Sequence, residues 1–222
     1  MTDILYQWPA GARFGARVPK ERFYERTAST AALRERFVAE VNRISWAYKL
    51  AAETINLPGS SEVPEIEVIQ IDAKANDIST QVLASIDKAI PNPVIFEIHR
   101  DDAHGGAVRM TAAHKPVGTP APKPANAYFS TGWMRGDAPR ASLPTAISMT
   151  ALYSALLGPL MPLAPRPGEG LAVVGERLDA VRRLEREISA LERKLRSEPQ
   201  LNRKVDLRRE LKTKQAELDQ TR

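Results

Sequence analysis

Apolar and polar positions along this chain alternate with two periods, and the periods sort it into elements. Leu33, Phe37, Val41, Ile44 and Tyr48 recur every three or four positions, with Trp46 on the flank. That spacing predicts one helix from a cap at Thr27 or Ser29 to about Leu50, before Pro58-Gly59. In Glu65–Ala73 the β-formers Ile66, Val68 and Ile71 lie among Glu65, Glu67, Gln70 and Asp72, which predicts a strand. Ile78, Val82, Ile86 and Ile90 then form a helical stripe, stopped by Pro91-Asn92-Pro93. Val94–Ile98 is apolar enough to be a central buried strand. This β–α–β order predicts a parallel crossover. Residues 101–106 read as a turn into an antiparallel partner at Ala107–His114, and Pro116, Pro120, Pro122 and Pro124 mark an exposed loop. Tyr128–Trp133 offers another strand, and Thr145–Leu157 a buried helix. The first 27 residues look irregular, with Phe14, Val18, Phe23 and Tyr24 apolar enough to dock on a core.

The last 48 residues differ in kind. Leu178, Val181, Leu184, Ile188, Leu191 and Leu195 are spaced 3, 3, 4, 3 and 4, a heptad seam. Ser197-Glu198-Pro199 breaks it, because proline suits a helix's first turn and not its interior. A second helix follows with Leu201, Val205, Leu211 and Leu218 as a weaker stripe. The predicted architecture is therefore α/β, a mixed sheet with flanking helices, plus a C-terminal antiparallel helical hairpin of coiled-coil type. The corresponding divisions are residues 1–165, a Pro/Gly connector at 166–173, and the hairpin at 174–222. One kinked helix in a dimeric coiled coil is the alternative.

Charge sharpens this division. The 222 residues carry 32 Lys+Arg against 27 Asp+Glu, a net +5. Residues 171–222 hold 14 bases and 10 acids, a net +4, so the remainder is close to neutral. A basic balance of this size permits nucleic-acid contact. The absence of cysteine excludes disulfides, thiolate zinc sites, iron–sulfur clusters and a cysteine nucleophile. Residues 141–164 are uncharged, yet Pro144, Pro159 and Pro162 and several hydroxyls interrupt them, so a buried helix is expected rather than a membrane span. The N-terminus lacks the basic and apolar regions of a signal peptide, and the expected compartment is the cytoplasm.

Candidate chemistry is sparse. Asp72 and Lys74 follow one strand, Glu97 lies in the next and Glu67 stands nearby. Carboxylates on adjacent strands with a lysine suit Mg²⁺ and an activated water, which a divergent metal-dependent nuclease would use. The simpler reading is charge solvating a strand edge. His99, Asp101, Asp102 and His104 hold metal-ligand chemistry, but a glycine-ended turn is the preferred account. Tyr128, Phe129 and Trp133, near Lys123 and Arg135, could stack on bases; as strand residues they more simply fill a sheet. Phosphate loops, dinucleotide fingerprints and serine-nucleophile elbows are missing. The hairpin is the strongest clue, since two amphipathic helices beyond a connector suit oligomerisation or a grip on a partner.

The runs ILYQWPAGARFGARVPKERFYE, RERFVAEVNRISWAYKLAAETINLP, IDKAIPNPVIFEI and SEPQLNRKVDLRREL together resemble bacterial domain-of-unknown-function family 4391 over nearly the whole chain. The strings Ile86–Pro91 and Gln200–Val205 are its most specific parts. The resemblance implies a small α/β domain with a helical tail, encoded beside helicases and DNA methyltransferases in restriction-like, phage-defence loci. It carries no established catalytic residues; no metal and no cofactor are expected. The expected role is a non-catalytic accessory subunit. It would bind a large helicase or methyltransferase through Leu184, Ile188, Leu191, Leu195, Leu201, Val205 and Leu211. DNA contact would fall to Arg203, Lys204 and Arg208, homo-oligomerisation is an allowed variant, and no membrane is involved.

Overall fold

The computed structural model describes residues 3–23, 30–101, 105–115, 117–118, 128–163, 166 and 169–222. It divides into two compact units, Met1–Pro162 and Leu163–Arg222.

The first unit is built on a seven-stranded mixed sheet, with β1 (Arg13–Arg17), β2 (Val41–Leu50), β3 (Ile66–Ala73), β4 (Val94–Arg100), β5 (Ala107–Ala113) and β6 (Tyr128–Ser130) side by side in chain order. A seventh strand, β7 (Met134–Arg135), also pairs with β5. Among these strands only β3 and β4 pair in parallel, Glu67 facing Val94 through Asp72 facing His99. Helix α1 (Ala31–Glu40) precedes β2, a single helical turn α2 (Ala52–Ile55) follows it, and α3 (Thr80–Ala89) makes the β3–β4 crossover. Helix α4 (Met149–Leu157) closes the unit; it is far shorter than a membrane span, and no described helix is long and apolar enough to cross one.

The expected helix to Leu50 is two elements. Helix α1 stops at Glu40, and the next ten residues are a strand. Val41, Ile44 and Tyr48 fit a helical stripe, but Ile44, Trp46, Tyr48 and Leu50 alternate equally well, and β-branched and aromatic residues suit the pleat. No Gly or Pro marks the change. Remote lysines mark it instead: the Lys20 ammonium donates to the Phe37 carbonyl at 3.3 Å and to that of Val41, and Lys74 donates to the Val38 carbonyl at 2.8 Å. Cations on a helix's last carbonyls satisfy groups that would otherwise continue it. The N-cap is Thr30, whose hydroxyl accepts from the Leu33 amide; Thr27 and Ser29 lie outside the described residues. The irregular N-terminal stretch likewise contains β1, an edge strand. Its pairing slips between Arg13 and Ala16, where Gly15 holds φ 72°, and the bulge with its flanking arginines discourages a further strand from adding.

Period-two alternation sends β3 and β4 side chains to opposite faces. Ile69, Ile71, Phe96 and Ile98 join Phe37, Val82, Leu83 and Ile86 in one core under α1 and α3. Gln70, Asp72, Glu97 and His99 share the other face.

The second unit is an antiparallel pair, α5 (Leu171–Ser197) and α6 (Leu201–Thr221). At 1.5 Å per residue the arms are about 40 and 31 Å long. Val181, Leu184 and Ile188 pack with Leu218, and Leu163 and Leu211 flank them. The α6 end is capped by arginines: Arg166 donates to the Gln220 carbonyl at 3.0 Å and Arg177 to that of Arg222 at 2.8 Å.

Candidate functional site

The strand-end carboxylates lie on one sheet face, each held by cations. Asp72 Oδ2 accepts from Arg43 Nε at 2.7 Å and Oδ1 from Gln70 at 3.0 Å. Glu97 is 5% exposed; Oε1 accepts from Trp8 Nε1 at 2.8 Å and Arg140 Nη1 at 2.7 Å, and Oε2 from Arg140 Nη2 at 3.2 Å. His99 Nε2 stands 3.5 Å from the same carboxylate. Burial raises the Glu97 carboxyl, but His99, Arg140 and Trp8 outweigh it and hold the group below the usual carboxylate range. Arg140 also donates to the Tyr6 carbonyl at 2.7 Å, and Leu5 and Gln7 hydrogen-bond to Ala141. Glu97 thus ties the N-terminal segment to the segment around Arg140. Lys74, the third member of the nuclease reading, is engaged with α1 as described, and its amide donates to the Glu40 carbonyl.

Trp8→Phe is expected to lower unfolding stability by about 1.5–3 kcal/mol, the worth of a hydrogen bond to a charged group. Urea denaturation measures this, and a loss below about 0.5 kcal/mol would deny Trp8 its tie to Glu97.

The other candidates are similarly placed. Among the described residues no group of three His, Asp or Glu could hold a metal ion. Asp102, His104 and Lys123, and most of the proline-rich loop, lie outside those residues. The Tyr128 hydroxyl donates to Asp87 at 2.8 Å and its ring meets Phe96 at 6.2 Å; Phe129 is buried. Arg100 covers Trp133 at 4.1 Å, with Arg109 at 5.1 Å. These aromatics belong to the sheet and its packing.

One polar cluster escapes a linear reading. Lys115 and Asp87 form a buried ion pair, and the Lys115 ammonium also donates to the Asp87 and Ile90 carbonyls at 2.7 Å each. Tyr153 accepts from the Lys115 amide and donates to the Ala113 carbonyl at 2.6 Å. The partners come from α3, β5, β6 and α4, and no local motif joins them.

In the hairpin, the seven apolar positions expected to grip a partner divide. Leu184, Ile188 and Leu191 are buried, and Leu195 and Leu211 are half-buried. Leu201 and Val205 are 72% and 47% exposed. The reason is register. The inward side of α6 runs through Lys204, Leu207, Leu211, Lys214, Leu218 and Thr221, spaced 3, 4, 3, 4 and 3, and Leu201 and Val205 fall outside it. Arg203 and Arg208 are exposed and Lys204 is half-buried.

A family model described as "Domain of unknown function (DUF4391)" matches residues 7–218. The chain belongs to this family. No curated protein and no solved structure matches it. Membership in DUF4391 brings no catalytic residue, so any assignment of chemistry rests on the geometry above.

Proposed function

We propose that this protein is a non-catalytic accessory subunit of a bacterial DNA-processing system. It works in the cytoplasm beside a helicase or DNA methyltransferase, in restriction-like antiviral defence, and the hairpin is its docking arm. One observation carries the reading: Asp72, Lys74 and Glu97 are all occupied as ties within the fold, by Arg43, by the end of α1, and by Arg140 with Trp8. An arginine sits against each carboxylate that a nuclease would offer to Mg²⁺. The hairpin, by contrast, forms a unit of its own and presents Leu201 and Val205 outward.

The test has two arms. Purified full-length protein with Mg²⁺ is expected to leave single- and double-stranded DNA intact; cleavage abolished by Asp72→Asn or by chelator would establish the nuclease instead. Tagged full-length protein is expected to recover the purified neighbouring helicase or methyltransferase, and Leu201→Asp with Val205→Asp to lose it. Both positions are exposed, so the fold should tolerate the changes. Equal recovery by the variant would deny the hairpin its role, and no recovery by wild type would remove the accessory reading.

A further inference from the structure

The hairpin's net positive charge is confined to one end. Its basal part, residues 163–187 and 213–222, holds 7 Lys+Arg and 7 Asp+Glu. Its distal part, residues 188–212, holds 8 Lys+Arg and 4 Asp+Glu, and so carries the whole net +4. Pairing follows the same division. At the base, Arg177 meets Glu169 at 2.8 Å, Arg222 meets Glu185 at 2.8 Å, and Lys214 meets Glu187 at 3.0 Å and Glu217 at 3.2 Å. Among the described residues, none of the eight distal cations (Arg193, Lys194, Arg196, Arg203, Lys204, Arg208, Arg209 and Lys212) makes an ion pair. All but Lys204 are exposed.

Unpaired like charges gathered at one tip repel one another, a cost that a polyanionic partner removes. We propose that the hairpin tip binds the phosphate backbone of double-stranded nucleic acid. This deepens the reading of the hairpin as a docking arm, and rests on it, by naming what the tip holds.

Three features favour a nucleic acid over other anionic surfaces. Five of the eight cations are arginines, whose planar fork matches a phosphate's paired oxygens. The distal arms span about 15–18 Å, and duplex DNA presents about one charge per 1.7 Å of axis, so several phosphates fall within reach. An interfacial membrane helix needs a broad apolar face and commonly aromatic anchors. The hairpin contains no Phe, Trp or Tyr, and its tip exposes only Leu201 and Val205 as large apolar residues. The remaining apolar stripe is closed between α5 and α6.

The experiment is fluorescence anisotropy of the full-length protein with a labelled 30-base-pair duplex of arbitrary sequence. With about four phosphates contacted, affinity should fall roughly a hundredfold between 50 and 200 mM salt. The variant Arg208→Ala/Arg209→Ala/Lys212→Ala should weaken binding at least tenfold at 100 mM salt. Alanine keeps the helix, and the three side chains are exposed. A basal control, Arg182→Ala/Arg183→Ala/Arg186→Ala, should stay within twofold of wild type. No binding at 50 mM salt, a flat salt profile, or equal weakening by the two variants would overturn the proposal. So would tighter binding to phosphatidylserine vesicles than to DNA, or displacement of the duplex by polyglutamate at equal charge. A protein that recovers its helicase or methyltransferase partner through Leu201 and Val205 but ignores the duplex loses this proposal and keeps the docking arm.

Discussion

Lys115→Met is expected to cost the α/β unit about 3–5 kcal/mol, the penalty for leaving one partner of a buried ion pair without the other. Lys115 and Asp87 are 3% and 2% exposed. The ammonium serves the Asp87 carboxylate and the carbonyls of Asp87 and Ile90, and α3 ends at Ala89. Lys115 is therefore both counter-ion and C-terminal cap of α3, supplied from beyond β5. Burial pushes the Asp87 carboxyl above its ordinary range, against the opposing pull of Lys115 and Tyr128. Methionine fills the volume of the lysine stem but removes the ion pair and both carbonyl donations. Adding Asp87→Asn should recover part of the loss, since the neutral amide no longer needs a cation. Urea midpoints of the wild type, the two single variants and the double variant close a double-mutant cycle. A single-variant loss below about 1 kcal/mol would show that water replaces the lysine.

The second large effect is a pH dependence centred on Glu67, which is fully buried. Burial raises its carboxyl first, and the neighbouring Glu65 adds to this; Asn92 and Trp46 Nε1, which donates at 2.7 Å, oppose it. The outcome is a pKa pushed from 4.5 up to about 7. The folded protein therefore holds a proton between pH 4.5 and about 7 that the unfolded chain has released. Unfolding free energy falls wherever the native state binds more protons, so Glu67's contribution is complete below pH 4.5 and lost as pH rises through about 7. The span corresponds to about 3 kcal/mol, 2.5 units at roughly 1.4 kcal/mol each. Glu67→Gln keeps an acceptor for Trp46 and a donor toward Glu65, gives up the acceptor for Asn92, and removes the titration. It should flatten the stability profile between pH 5 and 8 and make the protein about 3 kcal/mol more stable than wild type at pH 8. Denaturation midpoints across that range measure it; parallel profiles for the two proteins would show that Glu67 does not titrate there.

The first effect involves residues that no pattern in the chain singles out. Lys115 follows a strand and Asp87 stands beside Lys88 in a helix, so each reads as an ordinary surface charge. Trp8 and Arg140 lie in loop-like stretches, and only the fold brings them to Glu97. The strand Asp72 ends and the strand Glu97 occupies are legible because alternation and β-branched residues mark them. The state of those carboxylates is not legible, because Arg43 and Arg140 reach them from 29 and 43 positions away.

By itself the sequence determined the α/β body, its parallel β3–α3–β4 crossover, the terminal hairpin and the location of the excess charge. Each follows from a period or a composition repeated over neighbouring residues. The tertiary structure alone decided that α1 ends at Glu40: from Val41 on the backbone pairs with β3, and Lys20 and Lys74 hold the Phe37 and Val38 carbonyls at the helix end. It also decided which hairpin residues face outward. The seam of α6 runs through Lys204 and Leu207, and packing against α5 selects that register over the stripe through Leu201 and Val205. Periodicity is a property of a segment, whereas caps, counter-ions and register belong to pairs of segments and exist only once the chain has closed on itself.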